Sequence, residues 1–260
     1  MRLLIYGDIV GKLGRRGVKL TLPIWREKFS PDIVIANVEN IMHGKGIGRS
    51  QIDELRDAGV DIFTGGNHSL EGKDVAQILN DETLPITRPA NIPGAPGRGM
   101  VLYELADGVK LLVINLIGQV FTRPEYTSPF DAIDKILEEY KNIAPYIILD
   151  WHAEATSEKS VMGWYLDGRV SLVYGTHTHV PSADAKILPK GTAYITDIGM
   201  TGGYNSVIGV EIEHAIKKFK GETKKSAPPV ETGPIEVNAI LVELGVDIRH
   251  LREIIPEVKM

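Results

Sequence analysis

The stretch VSLVYGTHTH, residues 170–179, sets the pattern from which the fold is read. The run at 170–174 is apolar and rich in β-forming residues, too short for a stable helix and suited to a buried strand. Gly175 and Thr176 interrupt it, and two histidines follow at a spacing of two. In extended chain, residues i and i+2 point the same way, so His177 and His179 would face one point. The ordinary alternative is a pair of polar residues on a solvated strand face.

The same grammar recurs on either side. Short β-rich runs lie at 3–6, 33–36, 60–64, 110–116, 146–149 and 193–196, and 235–244 (IEVNAILVEL) alternates over a longer stretch. Helical spacing appears at 51–58, behind a candidate N-cap at Ser50, and at 130–144. Strands alternating with helices predict an α/β or layered α+β domain with covered sheet faces. Residues 85–99, with four prolines and three glycines, predict a long irregular loop, and 217–234, charged and then proline-rich, predict another. No repeat or composition break divides the chain, so 1–260 is expected to form a single domain.

Composition narrows the function. At 260 residues, 43% hydrophobic and 24% charged, the chain can bury a full core. It has no cysteine, which excludes disulfides, thiolate zinc sites, iron–sulfur clusters and a cysteine nucleophile. Any metal must be held by nitrogen and oxygen. A formal net charge of −5 argues against bulk electrostatic wrapping of nucleic acid, though not against a local basic cleft. Only four consecutive apolar residues precede Gly7 and Asp8, short of a secretory segment or a membrane span. A cytoplasmic protein with no membrane partner is expected.

The chemistry lies where the strands end. GDIVG (7–11), NVEN (37–40), GGNH (65–68), DWHAEAT (150–156) and GTHTH (175–179) each follow an apolar run. In open α/β sheets, ligands bind beyond the carboxyl ends of strands. Asp8, Glu39, Asn40, Asn67, His68, His152, His177 and His179 all fall there, including four of the seven histidines. Singly, each has an ordinary reading as a turn, a cap or a satisfied core histidine. GDIVGKL is one residue short of a P-loop and lacks its Ser or Thr; the early glycines make no dinucleotide fingerprint. Jointly, carboxylates, amides and imidazoles ending successive strands on one edge point to a metal site. Asp8, Glu39, Asn40, Asn67, His152, His177 and His179 are more donors than the roughly four one zinc takes, and they suit two ions. Two divalent ions would outweigh the two carboxylates and attract a phosphate without any basic patch.

Taken together, GDIVG, NVEN, GNH, DWHAEATSEK (150–159), GTHTHV (175–180) and GTAYITDIGMTG (191–202) resemble the motifs of the calcineurin-like metallophosphoesterases, and more narrowly of their YmdB-type branch. The matches keep their order from residue 7 to about 203. The resemblance implies a four-layer α/β/β/α sandwich with a dimetal site at the strand ends. By it, Asp8, Glu39, Asn40 and His179 would hold one ion, and Glu39, Asn67, His152 and His177 the other. Glu39 would bridge, and His68 would donate a proton to the leaving group. The wider superfamily carries a histidine where this chain has Val10, and Asn40 is the compensating ligand of the branch. Leu70, Glu71 and Pro181 depart from the branch's usual Trp, Asp and Gln; none is a proposed ligand, but each could reshape the pocket.

The activity implied is hydrolysis of phosphodiesters, 2′,3′-cyclic nucleotides among them, by in-line attack of a hydroxide bridging the two ions. Resemblance favours two divalent or mixed-valence ions with iron first, and nitrogen and oxygen ligation leaves manganese and zinc open. The partner expected is a small phosphodiester, with a homo-oligomer open. Alternatives are a phosphomonoesterase or nuclease on the same site, a regulatory partner in RNA handling with incidental turnover, and a closed structural metal site.

Overall fold

The computed structural model describes residues 1–123 and 125–257. The chain begins with β1 (Arg2–Ile9), α1 (Gly11–Phe29), β2 (Ile33–Asn37), α2 (Arg49–Asp57), β3 (Ile62–Thr64), α3 (Val75–Leu79), β4 (Met100–Glu104), β5 (Lys110–Ile117) and α4 (Pro129–Tyr140). It continues with β6 (Tyr146–His152), α5 (Thr156–Tyr165), β7 (Leu172–Thr176), β8 (Lys186–Ile187), β9 (Ala193–Ile195), β10 (Met200–Gly203), α6 (Ile212–Phe219), β11 (Ile235–Glu243) and β12 (Asp247–Ile255).

These strands form two six-stranded sheets, ordered β12-β11-β10-β1-β2-β3 and β4-β5-β6-β7-β9-β8. In the first, β1 runs parallel to β2 and β10, and β2 parallel to β3, while β11 and β12 are antiparallel. In the second, β5, β6, β7 and β9 are parallel, with antiparallel strands at both edges. Alternation along β1 sends Leu3 and Ile5 to one face and Leu4 and Tyr6 to the other, and all four are fully buried. Leu3, Ile5, Ile33 and Ile35 meet Leu111, Val113, Ile148 and Tyr174 of the second sheet. Leu4, Tyr6 and Val34 pack under Leu13, Val18, Leu22 and Trp25 of α1 and Ile52 and Leu55 of α2. Leu112, Ile114 and Leu149 pack under Ile133, Ile136 and Met162 of α4 and α5. Three apolar clusters between four layers make the α/β/β/α sandwich, each buried aliphatic side chain contributing about 1.5–3 kcal/mol.

Several sequence expectations need correction. The N-cap of α2 is Gly48, so Ser50 lies inside the helix. β3 starts at Ile62, because Asp61 turns its carboxylate to the Val34 N–H at 2.7 Å. The helix expected at 130–144 spans Pro129–Tyr140, capped by the Ser128 hydroxyl on the Asp131 N–H. Residues 85–99 are irregular as expected, but 217–219 belong to α6. Pattern alone gives no helix at α1, the longest in the described chain, since Gly11, Gly14, Gly17 and Pro23 interrupt it. Gly14 is there for close approach: a Cβ on it would come within 2.3 Å of the Thr201 carbonyl oxygen.

No described helix is long and apolar enough to cross a membrane. The parallel strands of both sheets bring their carboxyl ends to one rim. Asp8 is set there by β1, Glu39 by the turn after β2, Asn67 by the turn after β3, and His152 by the end of β6.

Candidate metal centre

Glu39, His152 and His177 each present one donor atom within 4.8 Å of the others. His152 Nε2 lies 3.4 Å from Glu39 Oε1, 2.8 Å from Asn67 Oδ1 and 3.1 Å from His177 Nδ1. Asp8 and His179 stand beside this group, with Asp8 Oδ1 3.9 Å from His179 Nε2. The peptide N–H of His177 donates to Asp8 Oδ2 at 3.1 Å and ties the two sets together. Asn40 turns its amide N–H to the Gly44 carbonyl at 3.0 Å, leaving its own oxygen free.

His177 and His179 do converge on one region, but not as strand neighbours. β7 stops at Thr176, and both histidines have positive φ, 95° and 66°. The backbone reverses instead of extending, so the i, i+2 rule does not orient them. Hydrogen bonds do. His177 pairs through Nε2 with Glu154 Oε2 at 2.7 Å, leaving Nδ1 directed at His152. His179 donates through Nδ1 to the Ile208 carbonyl at 2.9 Å, leaving Nε2 on the side of Asp8. The turn itself is held from below. Buried Lys159 bonds the Thr176 carbonyl at 2.6 Å and Asp197 Oδ2 at 2.5 Å, and the Thr178 N–H also reaches Asp197.

Behind His152 lies a buried polar chain. His152 Nδ1 meets the Thr176 hydroxyl at 2.9 Å, and that hydroxyl donates to Asp150 Oδ1 at 2.6 Å. Asp150 Oδ2 accepts from Thr64 and from Asn37 Nδ2. With the hydroxyl proton committed to Asp150, Thr176 can only accept, which puts a proton on His152 Nδ1 and frees Nε2 for a cation. Sequence reading missed Glu154, Asp150, Thr176 and the Ile208 carbonyl. Glu154 and Asp150 stand inside a quoted motif, but a backbone carbonyl 29 residues from its partner leaves no sequence signal.

The electrostatics favour positive charge at this point. Burial would raise the Glu39 carboxyl, but the adjacent His152 overcomes this and holds it at about 2. Burial would lower His152, but Glu39 against its ring raises it to about 9. Burial, reinforced by the His152 cation, pushes His177 down to about 3, so its Nδ1 keeps a lone pair. Burial raises Asp8. Without metal, a proton on His152 therefore occupies the place of a cation.

The residues fit a metal on three further observations. Among the described residues, the buried oxygens Asp8 Oδ1 and Asn40 Oδ1 accept no hydrogen bond. An orphaned buried acceptor costs about 1–3 kcal/mol and calls for a cation or water. Gly66 backs onto the cluster so closely that a Cβ would come within 2.3 Å of Glu39 Oε2 and of His152 Nε2. The donor set is carboxylate, amide and imidazole, which suits borderline transition metals. A cleft of about 450 Å³ opens over these groups, lined by Glu39, Asn40, His68, His177 and His179 on its floor. His68 has its Nδ1 2.8 Å from Glu71 Oε1, and its peptide N–H donates to Glu39 Oε2 at 2.8 Å. A larger cleft, about 610 Å³, lies at the opposite ends of β6 and β7, away from these groups.

Two face-to-face mixed sheets between helices, with nitrogen and oxygen donors at their shared carboxyl rim, define a metallophosphoesterase-type fold. The chain belongs to the YmdB-like protein family, whose profile matches residues 4–255. It is 48% identical over 221 residues to the 2′,3′-cyclic-nucleotide 2′-phosphodiesterase of Bacillus subtilis (strain 168), an alignment covering 85% of this chain and 83% of that protein. Among solved structures it is similar to a hypothetical protein of Thermus thermophilus, 41% identical with a TM-score of 0.87, covering 99% of this chain and 100% of that one. A phosphatase of Mycoplasma pneumoniae is 34% identical with a TM-score of 0.90, covering 99% and 94% of the two chains.

Proposed function

We propose that this protein is a phosphodiesterase that opens 2′,3′-cyclic nucleotides at a two-metal centre, with the chain acting as one catalytic domain. The observation that carries this reading is the set of unsatisfied buried oxygens, Asp8 Oδ1 and Asn40 Oδ1, beside the Glu39, His152 and His177 donors. Asp8, Glu39, Asn40 and His179 would hold one ion, and Glu39, Asn67, His152 and His177 the other. Bound there, the ions supply Lewis-acid polarisation of the phosphoryl oxygens and a water of lowered pKa. Iron is the first choice, with manganese and zinc also suited to this donor set.

The protein's own residues position and protonate. Glu39 stands against His152 at 3.4 Å, is fixed by the His68 peptide N–H, and would be the carboxylate shared by the two ions. His152, His177 and His179 are each locked by a hydrogen bond on one ring nitrogen, which leaves the other to the donor cluster. Glu71 engages His68 Nδ1, so Nε2 is the nitrogen available to the cleft. In attack on the cyclic diester the P–O2′ bond breaks and the 2′ oxygen needs a proton, which His68 Nε2 supplies. A 3′-phosphomonoester remains.

The test is metal analysis of protein purified without added metal, with a panel of diesters and monoesters. Two ions per chain and at least tenfold higher kcat/KM on 2′,3′-cyclic nucleotides than on 3′-monophosphates are expected. Preference for monoesters would make the protein a phosphomonoesterase. Full metal content without turnover of either class would make the site structural.

A further inference from the structure

The cleft over the metal centre is not walled by the catalytic motifs alone. Its far side is a strap formed by α6 and its flanks, with Val207, Ile208, Val210, Ala215, Lys218 and Phe219 facing the floor. The strap is pinned where it enters and leaves: the Glu211 N–H bonds the Pro228 carbonyl at 3.0 Å, and the Val230 N–H the Gly209 carbonyl at 2.9 Å. Through the Ile208 carbonyl it also holds His179. It is therefore part of the frame of the site.

Its composition runs against the rest of the chain. Residues 217–225 read KKFKGETKK, five lysines against one glutamate, in a protein of net charge −5. All five lysines are exposed, and among the described residues only Lys220 has a carboxylate partner, Glu222. Lys45 adds a further exposed charge to the lining of the cleft. Between Lys218 and Lys220 stands Phe219, 90% exposed and lining the cleft edge. A bare aromatic ring among lysines of which one alone, Lys220, has a carboxylate partner among the described residues suits a strand of phosphates whose bases need a π-face.

We propose that the strap is a binding rim for single-stranded oligoribonucleotide, so that the site accepts the cyclic-phosphate 3′ end of an RNA fragment and not only a mononucleotide. This rests on the phosphodiester reading of the metal centre. A 2′,3′-cyclic phosphate forms only on ribose, whose 2′ oxygen closes the ring, which makes the longer substrate RNA. The terminal nucleotide enters the cleft, whose 450 Å³ suits one nucleotide. Phosphates further along the strand lie against Lys217, Lys220, Lys224 and Lys225, and a base stacks on Phe219. The reaction is the one already described: water adds to phosphorus, the P–O2′ bond breaks, the proton goes to O2′, and a 3′-phosphate end remains.

The test joins binding and turnover on the full-length metal-loaded protein. Binding of a fluorescent six-nucleotide RNA ending in 3′-phosphate is followed by anisotropy between about 50 and 200 mM salt. Each phosphate engaged contributes a log–log slope of about −0.7, so three give about −2. The variant K217Q/K220Q/K224Q/K225Q is expected to bind at least tenfold more weakly with a flattened slope. Phe219→Ala is expected to lose about fivefold or more at fixed salt while keeping the slope. In turnover, the wild-type ratio of kcat/KM for a cyclic-phosphate-ended hexamer over 2′,3′-cAMP should exceed ten at low salt and fall toward one in the quadruple variant. Salt-insensitive binding, an unchanged ratio in that variant, or equal competition by a polyglutamate peptide of the same charge would each overturn the assignment. RNA binding as expected without hydrolysis of 2′,3′-cAMP would sink the catalytic reading and leave the rim standing. Hydrolysis without RNA binding would do the reverse.

Discussion

Thr176 receives the Nδ1 proton of His152 at 2.9 Å, one strand away and fully buried. Because the Thr176 hydroxyl is itself spent on Asp150, the contact acts in one direction and fixes which imidazole nitrogen faces the cluster. Thr176→Val should fold, since valine is nearly isosteric on a strand, but should release the ring. Metal affinity should fall by about 10–100-fold, the usual effect of removing a hydrogen-bond partner of a metal-binding histidine. Thr176→Ser should restore most of it. Chelator competition on the three proteins measures this, and equal affinities would show that the Thr176 hydroxyl does not orient the ligand.

Gly66 leads to a separate expectation. A methyl group there would come within 2.3 Å of Glu39 Oε2 and of His152 Nε2, both buried. One donor must move away. Gly66→Ala should therefore lose at least one ion per chain by elemental analysis while keeping native secondary structure by circular dichroism. Two ions retained in the variant would mean that the cluster can shift without losing its geometry.

The Glu39 and His152 pair sets a pH dependence in protein stripped of metal. His152 is raised to about 9, above its ordinary value near 6.5, so its contribution to stability is full below that value and is lost as pH rises through about 9. Glu39 is depressed to about 2, so its contribution is full above its ordinary value near 4.3 and is lost as pH falls toward 2. Metal must displace the His152 proton, so binding at pH 7 should release about one proton per chain from this group. Calorimetry in buffers of different ionisation heat counts it. No proton release at pH 7, with metal bound, would show that His152 is neutral beforehand.

The groups that end the strands were legible because a parallel strand is short, apolar and abruptly terminated. Asp8, Glu39, Asn67 and His152 follow such runs, and all come to one rim. What the pattern could not show is which distant segments meet. β1 pairs with β10 and β11 from the far end of the chain, and Asn37 reaches Asp150 across the interface between sheets. The histidines at 177 and 179 converge for a reason opposite to the one spacing suggests, since positive φ at both replaces extended geometry. α1 is hidden because its glycines serve the sheet beneath it and not the helix. Glu71, a departure from the branch's motif, turns out to face His68, a contact no single sequence can reveal.

His68 carries the sharpest expectation, because it touches the site without being an assigned ligand. Its peptide N–H supports Glu39 whatever the side chain, so His68→Ala should keep that bond and both ions. Loss of the imidazole should remove the proton supplied to the leaving oxygen. A positioned general acid contributes about 10²–10⁴-fold, or roughly 3–5 kcal/mol of barrier. That contribution matters most for a ribose hydroxyl and least for p-nitrophenolate, which departs without a proton. The variant should therefore lose most of its kcat on 2′,3′-cyclic nucleotides and distinctly less on bis(p-nitrophenyl) phosphate. Glu71→Gln, which keeps the ring but weakens its tether, should fall between wild type and His68→Ala on the cyclic substrate. Equal losses on both substrates with metals intact would assign His68 to phosphate positioning, and loss of an ion would make it a ligand.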